Sequence, residues 1–268
     1  MRVLREMDRV EWRALGAVRF VDATTGVPIE QALRVDAPGA SLMRNRSGLY
    51  VIRRWDALAA HEAQFLAPPA APAPGSQTLD ISVSDPGESY LPIAARVRLP
   101  RTSDPGQATA ADSLFQPAVV PLYPSARAPV GANWAVLRVT LTEAASGDAL
   151  GGALLRVVSN GTVLARGLTD WRGEALVPVV GVPVTTFSED AHAVVISEIN
   201  VSLEAAFDAI TGSRTSSAQV RAGHPPVTLP VVDPSALDSG FNALPHVQLT
   251  LRIAARRSQS ASLMLSLP

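Results

Sequence analysis

The sequence predicts an all-β protein of two tandem β-sandwich domains. Three observations carry that reading. Short runs alternate apolar and polar residues, turn residues punctuate them roughly every 8–12 positions, and one strand–turn–strand script occurs twice. Alternation with a period of two puts one strand face in a core and the other in solvent. Short strands so spaced build sandwiches or barrels.

Taken in order, Val18–Val21 runs into the turn cluster Asp22-Ala23-Thr24-Thr25-Gly26, and Gly48–Ile52 is β-rich. Leu79–Ser84 alternates strictly and closes on Asp85-Pro86-Gly87, whose Pro and Gly supply turn dihedrals. Ala94–Leu99 and Ala135–Leu141 alternate again. Leu154–Val158 and Thr162–Ala165 flank Asn160-Gly161, a two-residue hairpin turn. Val177–Val184, Val194–Leu203 and His246–Ile253 are further β runs. Trp55, Leu58, Ala59, Glu62 and Phe65 lie near helical spacing, which admits a short helix or an inter-strand loop. Ala261–Leu267 has edge-strand composition. A free apolar strand aggregates unless paired, so it is expected to be ordered and paired, in its own sheet or a neighbour's.

Proline marks the connections. Pro68–Gly75 is expected to be extended, and Pro100–Gly131 has six prolines and little periodicity. The expected organisation is a first sandwich over residues 1–100, a Pro-rich extended connector over 101–131, and a second sandwich over 132–268. The second contains a long loop at 210–245 and the C-terminal strand.

The repeat is the most informative feature. Trp12–Val51 and Trp134–Val177 each open on Trp and an alternating strand. Asp22–Ile29 corresponds to Glu143–Leu150, Leu33-Arg34-Val35 to Leu155-Arg156-Val157, and Arg46–Val51 to Trp171–Leu176. An acidic residue before Thr/Ser-Gly makes a tight turn, because glycine tolerates positive φ and hydroxyls cap nearby amides. At these residues, roughly 12–55 and 134–180, the chain resembles the carboxypeptidase-regulatory-like (transthyretin-like, Ig-like) β-sandwich family. The second turn fits too, in Asn45-Arg46-Ser47-Gly48-Leu49-Tyr50 and Asp170-Trp171-Arg172-Gly173-Glu174-Ala175. The resemblance implies non-catalytic modules that scaffold, stiffen or bind partners.

A second likeness is to accessory proteins of phage-tail-like contractile injection systems. It rests on Ser41–Val51, Tyr90-Leu91-Pro92 leading to Leu99-Pro100-Arg101, Asp112–Pro117 and Val120–Pro124. It implies a structural or interaction component of a cytoplasmically assembled particle. The alternative is a β-sandwich module binding carbohydrate or a surface ligand.

Composition excludes several chemistries. The chain of 268 residues has no Cys, so disulfides, thiolate metal sites and Cys nucleophiles are excluded. All 23 basic residues are Arg; without Lys there is no Schiff base or P-loop lysine. A net charge of −1 argues against a nucleic-acid partner. Charged residues interrupt every candidate leader, and no apolar run is long enough to span a membrane, so a cytoplasmic location is expected. His61, His192, His224 and His246 lack ligand spacing and are read as structural or solvated. Glu189-Asp190 before His192 is read as a polar turn rather than a cation site, and no G-x-S-x-G elbow exists. The Arg53-Arg54 and Arg256-Arg257 pairs, with Arg96 and Arg98, are read as solvated strand faces rather than an acidic partner's stripe. Trp12 and Trp134 are read as core plugs. No enzyme activity, cofactor or metal is expected. The expected partners are protein subunits, including further copies of the chain. The residues expected to touch them are Phe115, Leu122, Tyr123, Trp171, Leu263, Leu265 and Leu267.

Overall fold

The computed structural model describes residues 14–62, 71–183, 186–187, 194–195 and 198–268. The fold is all-β. Its strands are β1 (Gly16–Asp22), β2 (Arg34–Asp36), β3 (Ala40–Arg44), β4 (Tyr50–Trp55), β5 (Gln77–Ser84), β6 (Ile93–Leu99), β7 (Ala118–Leu122), β8 (Ala135–Glu143) and β9 (Ala149–Gly151). There follow β10 (Leu154–Ser159), β11 (Thr162–Leu168), β12 (Glu174–Val179), β13 (Thr186–Phe187), β14 (Val194–Val195), β15 (Glu198–Ala206), β16 (Ser213–Thr215), β17 (His246–Ala254) and β18 (Ser258–Leu265). Short helices are α1 (Ala59–Glu62), α2 (Ser217–Arg221) and α3 (Pro234–Ser239). The open alternative at Trp55–Phe65 resolves, over its described residues, into a 3₁₀ turn at Asp56–Leu58 followed by α1. There the Glu62 carboxylate accepts from Trp55 N at 2.8 Å.

The chain forms two compact units that are not consecutive stretches. Unit 1 takes the described residues of Met1–Arg19, Ala37–Leu79 and Val97–Val119; unit 2 takes Phe20–Asp36, Asp80–Arg96 and Val120–Pro268. In unit 1, β3 and β1 pair antiparallel with β4. The Pro-rich segment 101–131 is divided between the units. Its first part folds back through a Thr102–Ser113 bridge, and β7 follows.

Unit 2 is sandwich-like. One sheet runs β11-β10-β15-β17; the other runs β12-β8-β9-β16, with β18 parallel to β8 on β8's other side. Both sheets face one core that includes Leu137, Leu141, Leu155, Val177, Leu203 and Leu263, each no more than 3% exposed. The period-two alternation read in Ala135–Leu141 is what sends Leu137, Val139 and Leu141 inward. The Asn160-Gly161 turn has φ values of 49° and 76°, the paired positive values a type I′ hairpin needs. The expected C-terminal strand is ordered and paired. It lies along β8 from Ser258↔Val136 to Leu265↔Glu143, within its own chain's sheet.

The sequence repeat is a geometric repeat. Asp22 Oδ1 accepts from Thr24 N and Thr25 N, and Gly26 N donates to Asp22 O at 2.8 Å. In the second copy Ser146 Oγ donates to Glu143, and Gly147 N donates to Glu143 O at 2.9 Å. The hydroxyls of Thr25 and Ser146 accept from Val27 N and Asp148 N. Strand register agrees as well. Gly16↔Ile52 and Ala17↔Val51 in β1–β4 match Leu137↔Val177 and Arg138↔Leu176 in β8–β12, at the offsets the sequence alignment requires. A third copy of the turn occurs in Asp208-Ala209-Ile210-Thr211-Gly212. There Gly212 N donates to Asp208 O at 2.8 Å and Thr211 Oγ1 donates to Asp208 Oδ2 at 2.8 Å. It joins β15 to β16 at the start of the stretch read as an irregular loop.

Candidate functional site

The second turn of the repeat builds the most distinctive surface feature. Asp170 precedes Trp171-Arg172-Gly173 and β12. Its Oδ1 accepts from Arg172 N at 2.8 Å and Glu174 N at 3.1 Å, closing the turn through two amides. Oδ2 receives the Arg172 guanidinium at 2.9 and 2.8 Å. Gly173 has φ +71°, and a Cβ there would stand 2.4 Å from Leu141 O, so the turn needs glycine in order to sit against β8. Asn45 builds the same turn in unit 1, accepting from Ser47 N and Leu49 N at 2.9 Å.

With its neighbours held this way, the half-buried Trp171 lines an apolar cleft with Leu91, Pro92, Leu168, Leu229, Pro230 and Val232. The loop wall is fixed by Ala94 N, which donates to Val232 O at 2.8 Å. The cleft volume is about 50 Å³. That admits a water or two, or the end of one side chain, against roughly 300 Å³ for the smallest usual ligand pocket. Leu229 on its rim is 43% exposed; along the same loop Val227 is 107% and Val231 39% exposed. Among the described residues no nucleophile–base pair lines it.

A second cleft of about 290 Å³ is polar and lies where β8, β15, β17 and β18 meet. Glu198, Arg252, Arg257, Ser258 and Gln259 line it, and among the described residues no aromatic side chain does. Among the described residues no cluster of His, Asp and Glu is arranged to hold a metal ion. Glu189, Asp190 and His192 lie outside the described residues, as does Trp12.

A polar network fastens α3 to the outer face of the β11-β10-β15-β17 sheet. Arg156 on β10 reaches Glu204 on β15 at 2.8 Å and lies 3.7 Å from Asp238 on α3; Arg166 on β11 reaches Asp238 at 3.0 Å. The Arg156 guanidinium stacks 3.5 Å over the Phe241 ring. Tyr123 lies near this group. Its hydroxyl is pushed up to about 12 by burial, with Asp238 and Asp233 adding and Arg166 opposing.

The seven residues read as partner contacts are dispersed. Phe115 is exposed in unit 1, at 56%. Trp171 stands at the apolar cleft. Leu122 and Tyr123 are buried, at 1% and 4%, and Leu263 and Leu265 are in the unit 2 core at 3% and 2%. Leu267 packs half-buried against that core. Trp134 is half-buried, its ring against Gly131, rather than a central core residue. Arg96 pairs with Asp80 and Asp233. The loop at 227–232, which forms one wall of the cleft, lies in the Pro-rich stretch 210–245 expected to touch a partner, although none of its residues is among the seven named. The Asp208–Gly212 turn that precedes it matches Asp22–Gly26 at four of five positions and was the available signal.

No protein-family model matches the chain, and no curated protein is significantly similar to it. Among the described residues no helix is long and apolar enough to cross a membrane.

Proposed function

We propose that the chain is a non-catalytic structural and interaction component of a cytoplasmically assembled, phage-tail-like contractile particle, built on transthyretin-like modules. The observation that carries the reading is the Trp171 cleft. It is apolar, too small for a diffusible substrate, and rimmed by the exposed Leu229. Such a surface takes a side chain from a protein partner; partly exposed aromatics beside apolar rims are where interface energy concentrates. The repeated turn geometry supports the modular part of the reading. The test is purification of tagged chain from its native cells, followed by sedimentation and mass spectrometry. Co-sedimentation with a defined set of tail-type subunits is expected, reduced by a Trp171→Ala, Leu229→Ser variant that remains folded. Recovery as a compact monomer with glycan affinity and no particle refutes it.

The polar cleft favours a second reading, a module binding carbohydrate or another surface ligand, because about 290 Å³ approaches ligand-pocket size. Glycan-array binding abolished by Gln259→Ala is the result that reading requires.

A further inference from the structure

Among the described residues strand β17 is a sheet edge. It ends the β11-β10-β15-β17 sheet, so one side pairs with β15 and the other has no strand partner among the described residues. Its register with β15 is unbroken for nine residues, from Glu198↔Ala254 to Ala206↔His246. Natural edges are blunted by proline, bulges, brevity or inward charges. β17 has no Pro, no Gly and no bulge, and its one formal charge, Arg252, has a side chain 72% exposed. The inward row is also incompletely covered. Leu249 is 38% exposed, and Val247 and Leu251 are only half-buried against the core.

The two lateral sides of the unit 2 sandwich therefore differ. On one, β11 packs onto β12 so closely that a Cβ on Gly167 would stand 2.7 Å from Val177. On the other, β17 and β18 are joined by a turn at 255–257, and no described strand pairs with β17 beyond β15.

We propose that a second copy of this chain adds its own β17 to this edge, antiparallel, about a two-fold axis at Thr250. The strand is complementary to itself in that register. All nine residues overlap, and inward positions meet inward positions: Leu249 faces Leu251 of the second copy, and Val247 faces Ile253. Outward, Thr250 meets Thr250, and Gln248 meets Arg252, so no like charges oppose. The contact is isologous, as a two-fold dimer requires, and joins two four-stranded sheets into one. A foreign strand would need no such self-complementarity. The inference supplies a surface for the assembly reading above and rests on it only to that extent.

The test is sedimentation of the intact chain. Wild type is expected to dimerise reversibly with a Kd tighter than about 100 µM. Gln248→Arg sets Arg against Arg252 twice by symmetry, and its Kd is expected to rise about three- to thirty-fold. Its fold is expected to be retained, because residue 248 lies opposite Glu204 on β15. Adding Arg252→Glu to Gln248→Arg exchanges the charges and is expected to restore dimerisation. Three outcomes overturn the proposal: a monomeric wild type, a Gln248→Arg variant that dimerises like wild type, or a double variant that does not recover. A wild type monomeric alone yet present in the native particle overturns the self-pairing and leaves the assembly reading standing. A wild-type dimer found in no particle does the reverse.

Discussion

Replacing Asp170 with alanine tests whether an acidic side chain holds the Trp171 turn in place. The carboxylate is 10% exposed and receives two backbone amides and a guanidinium. Truncation leaves the amides of Arg172 and Glu174 without acceptors. A hydrogen bond to a charged group contributes about 1.5–3 kcal/mol, and an amide orphaned by truncation costs a similar amount unless water reaches it. The Arg172 side chain is 32% exposed, so its ion pair adds no more than about 1 kcal/mol. Water recovers part of the loss at the turn's outer side, which leaves an expected destabilisation of about 3 kcal/mol. For a unit of this size that lowers Tm by roughly 6–12 °C. Asp170→Asn keeps an oxygen for both amides but sets its NH2 against the Arg172 Nε and Nη2 donors, so it loses the exposed ion pair and should cost about 1 kcal/mol. Calorimetry and urea titration of the two variants decide the matter. Asp170→Ala within about 1 kcal/mol of wild type would show that the carboxylate does not hold the turn. Asp170→Asn as costly as Asp170→Ala would place the stabilisation in the Arg172 pair instead.

Gly173→Ala should destabilise by at least about 2 kcal/mol, from positive φ and a Cβ pressed on Leu141 O, and urea titration reads it. Arg156→Ala leaves Glu204 and Asp238 short of a partner in partly buried positions. It should cost about 2–3 kcal/mol and selectively speed hydrogen exchange at 234–243, where unchanged protection would count against the network. Tyr123 titrates higher in the folded chain, near 12, than its ordinary value near 10. The stability it contributes is therefore complete below pH 10 and lost as pH rises through 12. Tyr123→Phe should flatten that part of the alkaline unfolding curve. Tyr90, raised by burial and by its hydrogen bond to Asp22, leaves a residual slope in the variant.

Local chemistry was legible in the sequence because it depends on neighbours a few residues apart. The side chains of Asp22, Asn45 and Asp170 cap amides two to four positions on, and Asn160-Gly161 reverses the chain by itself. Period-two alternation determined which side of β8 enters a core, and the β1–β4 and β8–β12 registers correspond at the repeat's own offsets. What alternation does not encode is which strands become neighbours. Leu122 and Leu263 have the composition of exposed docking residues until β7 and β18 take their places, and then both are buried. The wall that Leu229 and Val232 contribute to the Trp171 cleft depends on a bridge between Ile93 and Val232, 139 residues apart, which no local pattern announces. The free edge of β17 is likewise a property of sheet order. Strands, turns and the repeated module follow from residues close together along the chain. Which apolar faces are covered and which stay open does not, because burial is settled between segments distant in sequence.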